Sequence, residues 1–438
     1  MKNRFIKKII GITLGCLMLC SGVVVSAKDG GTSSNPGYIY YRSNGNLFKA
    51  AADGSGSIEI VPNYDSKRII PAKKYVYYYA GQNSTTLLRV ANDGSEKQGK
   101  RFAEDVVNVY ADDNNIYYMT DEGKIYAAAS DCASASDAKE IADMADVKNG
   151  NTWLAAMNGR VYYNSLKSGR IDYVTSVSAD GTGKKYLAKG IVSSNYYLKK
   201  DSKSAYLMVN TKPQETRYST KCMVMYSIKL STGSAKAINS KKPIDHNAVS
   251  SGRWINGYYV YNSGIKNGSS NFNYNSGKAY ALSTSGKTIK IYKKSAYEVA
   301  NLGSNKIVFN DASGNSYAVT VKGNKVSAAK KISVKLTYHV RNLGGQDDKS
   351  NATLFSEYGI YSVNSQMKPK KLTGIEWDEC WYDWYDDNTA VAGLFYINAG
   401  DNNYLYYATA DGKTNIRVST DKVTRTEDID GVYYISQY

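Results

Sequence analysis

Tyr38-Ile39-Tyr40-Tyr41, then Leu47-Phe48, then Asp53-Gly54-Ser55: this run decides the fold, because the chain keeps repeating it. The second copy reads Val76-Tyr77-Tyr78-Tyr79, Leu87-Leu88 and Asp93-Gly94-Ser95. Anchored on the central tyrosine, copies fall at Tyr40, Tyr77, Tyr117, Tyr162, Tyr206, Tyr259, Val308, Leu354, Phe395 and Tyr433. The steps are 37, 40, 45, 44, 53, 49, 46, 41 and 38 residues. A period near forty with strand-type patterning marks a repeat architecture. Each step has room for four short strands and their turns, which is one blade of a β-propeller.

Inside each copy Val, Ile, Tyr and Phe alternate as on a pleated surface. Asn44-Gly45, Glu122-Gly123 and Ser168-Gly169 are hairpin signals. Asp53-Gly54, Asp93-Gly94, Asp180-Gly181 and Asp411-Gly412 close the following turn. The only helix-like stretch, Ala138 to Val147, is expected as a loop decoration, and the repeat is faintest from Lys330 to Asn351. That seam could divide two smaller rings, but the period resumes at a similar step, which favours one. The last copy, Asp430-Gly431-Val432-Tyr433-Tyr434-Ile435, has a first strand without its partner. A final strand that completes the first blade would close the ring and hide its sheet edges. The expected fold is therefore all-β: a single propeller of about eight four-stranded blades, with seven to nine compatible.

Residues 1–27 read as a cleaved export signal. Lys2, Arg4, Lys7 and Lys8 are the charged region, Ile9 to Val25 the apolar stretch, and Val25-Ser26-Ala27 the cleavage site. Cys16 and Cys20 inside the apolar run leave a lipid-modified or retained anchor as the alternative. Residues 28–36 are a Gly/Ser-rich linker, and 37–438 the propeller. No later run has the eighteen or so apolar residues that a membrane span requires. Net charge is +17, and +13 without the four signal cations. Spread lysines of this kind keep a surface soluble or let it adhere to anionic polymers. Cys132, Cys222 and Cys380 are too few and too distant to imply a disulfide framework.

The strand Asn115-Ile116-Tyr117-Tyr118-Met119-Thr120-Asp121 with Ile125-Tyr126 resembles the YWTD-type strand of low-density-lipoprotein-receptor propellers. Gly393-Leu394-Phe395-Tyr396, Leu405-Tyr406 and Asp411-Gly412 resemble the bacterial low-density-lipoprotein-receptor-related-type propeller family, long catalogued as a domain of unknown function. About half of the chain from Gly37 carries the motif. The resemblance implies a secreted or surface protein, typically of Gram-positive bacteria, and transfers no catalytic residues.

One stretch is locally unusual: Ile375-Glu376-Trp377-Asp378-Glu379-Cys380-Trp381-Tyr382-Asp383-Trp384-Tyr385-Asp386-Asp387. It holds three of the five tryptophans and six carboxylates in a basic chain. Ring faces pack on sugar C–H faces, carboxylates accept sugar hydroxyls, and Trp and Tyr dominate protein-binding hot spots. Trp377, Trp381, Tyr382, Asp383, Trp384 and Tyr385 are accordingly the ligand-binding candidates, against the plainer reading of an irregular blade strand. Asp112-Asp113-Asn114-Asn115, Asp386-Asp387-Asn388 and Asp401-Asn402-Asn403 offer hard oxygens, but match no EF-hand spacing and suit turns. The paired tyrosines are expected to pack between blades.

No nucleophile elbow, zinc-protease or Cys-His signature is present, and His246 and His339 are the only histidines. No catalytic residue, metal or cofactor is assigned. The expectation is a secreted, monomeric, non-enzymatic propeller binding an extracellular glycan or protein through one face, with no nucleic-acid partner. Two alternatives stand beside it. One is a polysaccharide hydrolase or lyase on the same scaffold, for which Asp378 and Asp383 could serve as the carboxylate pair. The other is an electrostatic association with anionic cell wall.

Overall fold

The computed structural model describes residues 38–436 except 67, 113, 168–170, 194–195, 199–202, 215–219, 246–251, 265, 268–271, 274–276, 304, 344–350, 375–392 and 424–431. Residues 1–27, read from the sequence as an export signal, and residues 28–36 lie outside them.

In the second blade, Ile69–Pro71, Tyr75–Tyr79, Leu87–Ala91 and Lys100–Ala103 pair antiparallel in chain order. The same plan recurs around one ring of nine blades, inside the expected range and at its upper end. The ten sequence anchors explain the count. Eight lie on the second strand of a blade and Phe395 on Gly393–Asn398 of the ninth, while Tyr433 lies on Val432–Ser436, which pairs as the first strand of blade 1. First strands of blades 1 to 4 touch in succession, as do those of blades 6 to 8, and so line the axis. The ninth blade shows three strands among the described residues, Gly393–Asn398, Tyr404–Thr409 and Asn415–Lys422.

Hairpin chemistry sets the local geometry. Asn44 and Gly45 both take positive φ (47° and 80°), which matches a two-residue turn to the right-handed twist of its strands. The pairing of third and fourth strands slips by a residue in blade 1 between Leu47 and Phe48, and likewise in blades 2, 3, 4, 6 and 8; in blade 9 the register also shifts, between Tyr404 and Tyr406. Such bulges add twist and swing the outer strand around the rim.

The tyrosine pairs pack on alternate sides, as the period of a strand requires. Tyr40 joins the core shared with blade 2, and Tyr41 the core shared with blade 9. Tyr117 faces blade 4 while Tyr118 faces blade 2. All four are buried. Each aromatic thus anchors a seam between neighbouring blades rather than the interior of its own.

The seam between first and last blades closes in three ways. Tyr38–Ser43 pairs with Val432–Ser436, in register Tyr38↔Ser436, Ile39↔Ile435 and Tyr40↔Tyr434. Ile39, Tyr41 and Ala50 pack on Phe395, Leu405 and Tyr407. Third, a Cβ on Gly54 would stand 3.1 Å from Ile416 Cδ1, and Ser57 Oγ lies 2.7 Å from Thr420 Oγ1. The Asp-Gly turns of blades 2, 4 and 9 touch the outer strand of the preceding blade in the same manner. The repeated dipeptide is therefore an inter-blade contact as well as a turn.

One expectation is corrected. Lys139–Ala142, within the stretch read as a loop decoration, is the outer strand of blade 3, paired with Ile125–Ala129 and preceded by a single 3-10 turn, Ala135–Asp137. Edge pairing on a preformed sheet overrides the weak helical preference of Ala, Lys and Glu. Within the Lys330–Asn351 seam, Lys330–Lys331 pairs in blade 7 and Thr337–Leu343 in blade 8, so the described part is the step from one blade to the next.

Candidate functional site

Antiparallel order places the turns joining first to second and third to fourth strands on one rim of the ring. On that rim a groove of about 910 Å³ crosses blades 1 to 3. Blade 1 contributes Tyr38, Lys49 and the turn around Gly56, with Ile58 42% exposed. Blade 2 adds Lys73, Lys74, Asn92 and Asp93, and blade 3 adds Asn114, Ser130 and Asp131.

Lys49 lies opposite Tyr40 in the strand pairing, so both side chains leave the sheet towards blade 2. There they meet Asn92. The ammonium donates to Asn92 Oδ1 (3.0 Å) and Asn92 O (3.4 Å), and the Tyr40 hydroxyl also donates to Oδ1. Asn92, 4% exposed, is held by its Nδ2 donating to Ala72 O at 3.1 Å. Lys49 Nζ sits 4.1 Å from the centroid of Tyr38 and 5.9 Å from that of Tyr40. Burial pushes its amine down to about 8, with Asp93 pulling the other way. Burial also raises the Tyr40 hydroxyl, which is therefore a neutral donor.

The next blade repeats this constellation with a different ending. Arg89 lies opposite Tyr77 and rides over Tyr75 at 4.3 Å, as Lys49 rides over Tyr38. Its Nε donates to Ala133 O (2.7 Å) and its Nη1 pairs with Glu96 (3.3 Å). Arg89 is 5% exposed and closed in by these partners. Lys49 has no carboxylate partner among the described residues, and its ammonium faces the groove.

Other polar groups serve the frame. Lys139 donates to Asp180 O in the next blade (2.6 Å), and Lys185 and Lys370 make the same bond to Thr232 O and Asp411 O. Part of the basic surplus is thus used at seams. Asp112 Oδ1 caps the amides of Asn114 and Asn115 (2.9 and 2.8 Å), and Asp401 accepts from the Tyr406 hydroxyl (2.6 Å). His339 Nδ1 meets Glu298 Oε1 at 3.0 Å and Val340 N donates to Oε2 at 2.6 Å, which joins blades 7 and 8. Cys132 and Cys222 are buried in blades 3 and 5.

On the opposite rim Asp172 hydrogen-bonds Asp146, which also accepts from Asn149 and Asn151 (2.7 and 2.5 Å). Asp146 is 0% exposed and cannot meet a polymer. Burial, then the neighbouring carboxylate, raises the Asp172 carboxyl above its usual range. A raised folded value means stability that is present at low pH and lost as pH rises through that value. Asp172→Asn is therefore expected to stabilise the protein modestly at pH 7, by an amount that solvent screening of this partly exposed group reduces. The gain should vanish below pH ~4, where both states hold the proton. Denaturant melts of the two proteins across pH measure it, and a gain constant with pH would refute the raised Asp172 carboxyl.

The sequence-predicted ligand residues Trp377, Trp381, Tyr382, Asp383, Trp384 and Tyr385 lie outside the described residues, with Asp378, Cys380 and the Asp386-Asp387-Asn388 group. Sequence reasoning passed over the groove. Its one signal was the basic residue opposite the central tyrosine, Lys49 in copy one and Arg89 in copy two, visible only once strand register is known.

No protein-family model matches the chain, and no curated protein matches it in sequence. Among solved structures the ring is similar to AztD from Citrobacter koseri, at 8% identity over 88% of this chain and 94% of that one, TM-score 0.43. It is similar also to BamB from Moraxella catarrhalis, at 8% identity over 80% and 92%, TM-score 0.41. A puromycin hydrolase is matched at 9% identity over 78% of this chain and 58% of its own length, TM-score 0.35. At these scores the likenesses bear on neither activity nor ligand. Among the described residues no helix is long and apolar enough to cross a membrane.

Proposed function

We propose that the chain is an exported, non-enzymatic propeller that holds an extracellular glycan or protein on one face of its ring. The observation that carries this is the groove across blades 1 to 3, where tyrosine, amide, hydroxyl and lysine groups from three blades converge. Rigid blades with variable turns make such a rim a natural binding platform. The Trp377–Tyr385 segment is a second contact in the same proposal, resting on its composition.

The test is retention of the chain from residue 28 onwards on cell-wall glycans and surface proteins, with reducing ends and unsaturated products followed in parallel. Binding without turnover is expected, and replacement of Trp381 and Trp384 by Ala should weaken it at least tenfold at unchanged far-UV dichroism. Turnover that disappears in Asp378→Asn would replace this reading by the polysaccharide-active one. Retention lost at modest salt and indifferent to every substitution would leave only diffuse electrostatics.

A further inference from the structure

We infer that the groove across blades 1 to 3 is a site for an acidic oligosaccharide, with Lys49 receiving a sugar carboxylate. The inference deepens the binding reading above and rests on it. Three features carry it. Lys49 is a half-buried ammonium standing at a 910 Å³ cavity, oriented by Asn92 and by the face of Tyr38. Its two hydrogen bonds go to neutral oxygens of Asn92, so its charge is uncompensated by any ion pair among the described residues. The equivalent cation of blade 2, Arg89, already has its carboxylate in Glu96. The same cation is built twice, and among the described residues only Arg89 has a carboxylate in contact, Asp93 acting on Lys49 from beyond ion-pair distance, which leaves Lys49 ready for an external one.

The surroundings select a sugar acid over a bare anion. Lys73 and Lys74 on the neighbouring turn add charge, while Asp93 and Asp131 offer acceptors for hydroxyls. Three cations against two carboxylates give the groove a weak positive balance, which a polyphosphate would not favour. Asn114 and Ser130 supply amide and hydroxyl groups, and exposed Ile58 supplies an apolar wall for ring C–H groups. A carboxylate beside Lys49 would gain from a partly desolvated charge pair, which is stronger than an exposed one.

Lys49 also makes the site sensitive to pH. The groups facing it are Tyr38 and Tyr40 on its own blade, Asp93, Lys73 and Lys74 on blade 2, and Asp131 on blade 3. With the amine pushed down to about 8, the cation is present at neutral pH and is lost towards pH 9.

The experiment titrates residues 28–438 with oligogalacturonate, a neutral gluco-oligosaccharide and an oligo(glycerol phosphate) at pH 7 and pH 9. Oligogalacturonate is expected to bind, at least tenfold more weakly at pH 9. Lys49→Met should lower affinity at pH 7 at least tenfold, and Lys49→Arg, charged at both pH values, should bind alike at the two. A thermal melt of each variant checks folding, and the arginine variant keeps the test meaningful if the methionine variant is unstable. Undiminished binding by Lys49→Met, equal binding of the neutral or phosphate oligomer, or an unchanged pH response in Lys49→Arg would overturn the inference. If uronate fails while another glycan or a protein still binds, this inference falls and the proposed function stands. If nothing binds, both fall.

Discussion

A chain ending at Asp430 will unfold at lower temperature and self-associate, because it lacks the strand Val432–Ser436 that completes blade 1. That strand pairs with Tyr38, Ile39, Tyr40 and Tyr41, and without it the second strand of blade 1 becomes an open edge. Four residue pairs at a net value of about 1 kcal/mol per backbone bond correspond to about 4 kcal/mol. For a ring of this size that lowers Tm by about 5 °C. Exposure of Ile39, Tyr40 and Tyr41, all fully buried in the ring, adds to the loss. The unpaired edge is a template for another chain, so aggregation should accompany it. A melt followed by light scattering measures both. A peptide of residues 431–438 supplied in excess should restore Tm by mass action. A truncated chain that melts like the whole one would show that the seam to blade 9 closes the ring alone.

Gly190→Ala is the second change expected to be severe. Gly190 joins the outer strand of blade 4 to the first strand of blade 5, with φ at +118°, and its amide donates to Asp172 O at 2.9 Å. A Cβ there would lie 2.1 Å from Asn210 O and 2.9 Å from Thr211 Cα, both backbone atoms that pairing holds in place. No rotamer relieves a clash made by the Cβ itself. Backbone strain and overlap together should destabilise the protein by about 3 kcal/mol or more. Gly323→Asn is the control: φ is +59°, which asparagine tolerates, and nothing lies within 4 Å of a Cβ. Chemical denaturation should shift the midpoint of the first variant strongly and that of the second hardly at all. Equal shifts would mean that chain entropy, not close approach, decides the glycine at this crossing.

The two outcomes also probe how much of the ring was legible in the chain. The repeat needed only local information: a tyrosine pair, a return strand and an Asp-Gly turn, spaced by the length of four strands. The packing of Tyr40 and Tyr41 on opposite seams followed from the period of two in a strand. The blade count was less sharp, since the last copy could be a truncated blade or the first strand of blade 1. Only the pairing of Val432–Ser436 with Tyr38–Ser43 separates these. Ala138 to Val147 misled because helical preference is local, whereas the strand at Lys139–Ala142 exists through an edge offered by Ile125–Ala129.

By itself the sequence determined the architecture, because a repeated unit that cannot bury its own faces has to stack, and alternation fixes which residues it buries. What tertiary structure alone decided is the groove and the surroundings of Lys49. A single lysine among many carries no local mark. It becomes distinct only when strand register sets it beside Tyr38, the neighbouring blade brings Asn92 to its amine, and the equivalent Arg89 is seen to touch a carboxylate where Lys49 touches none among the described residues. The contact with Asn92 joins residues 43 positions apart, and the interaction of a charge with its surroundings depends on distance and burial rather than on order along the chain.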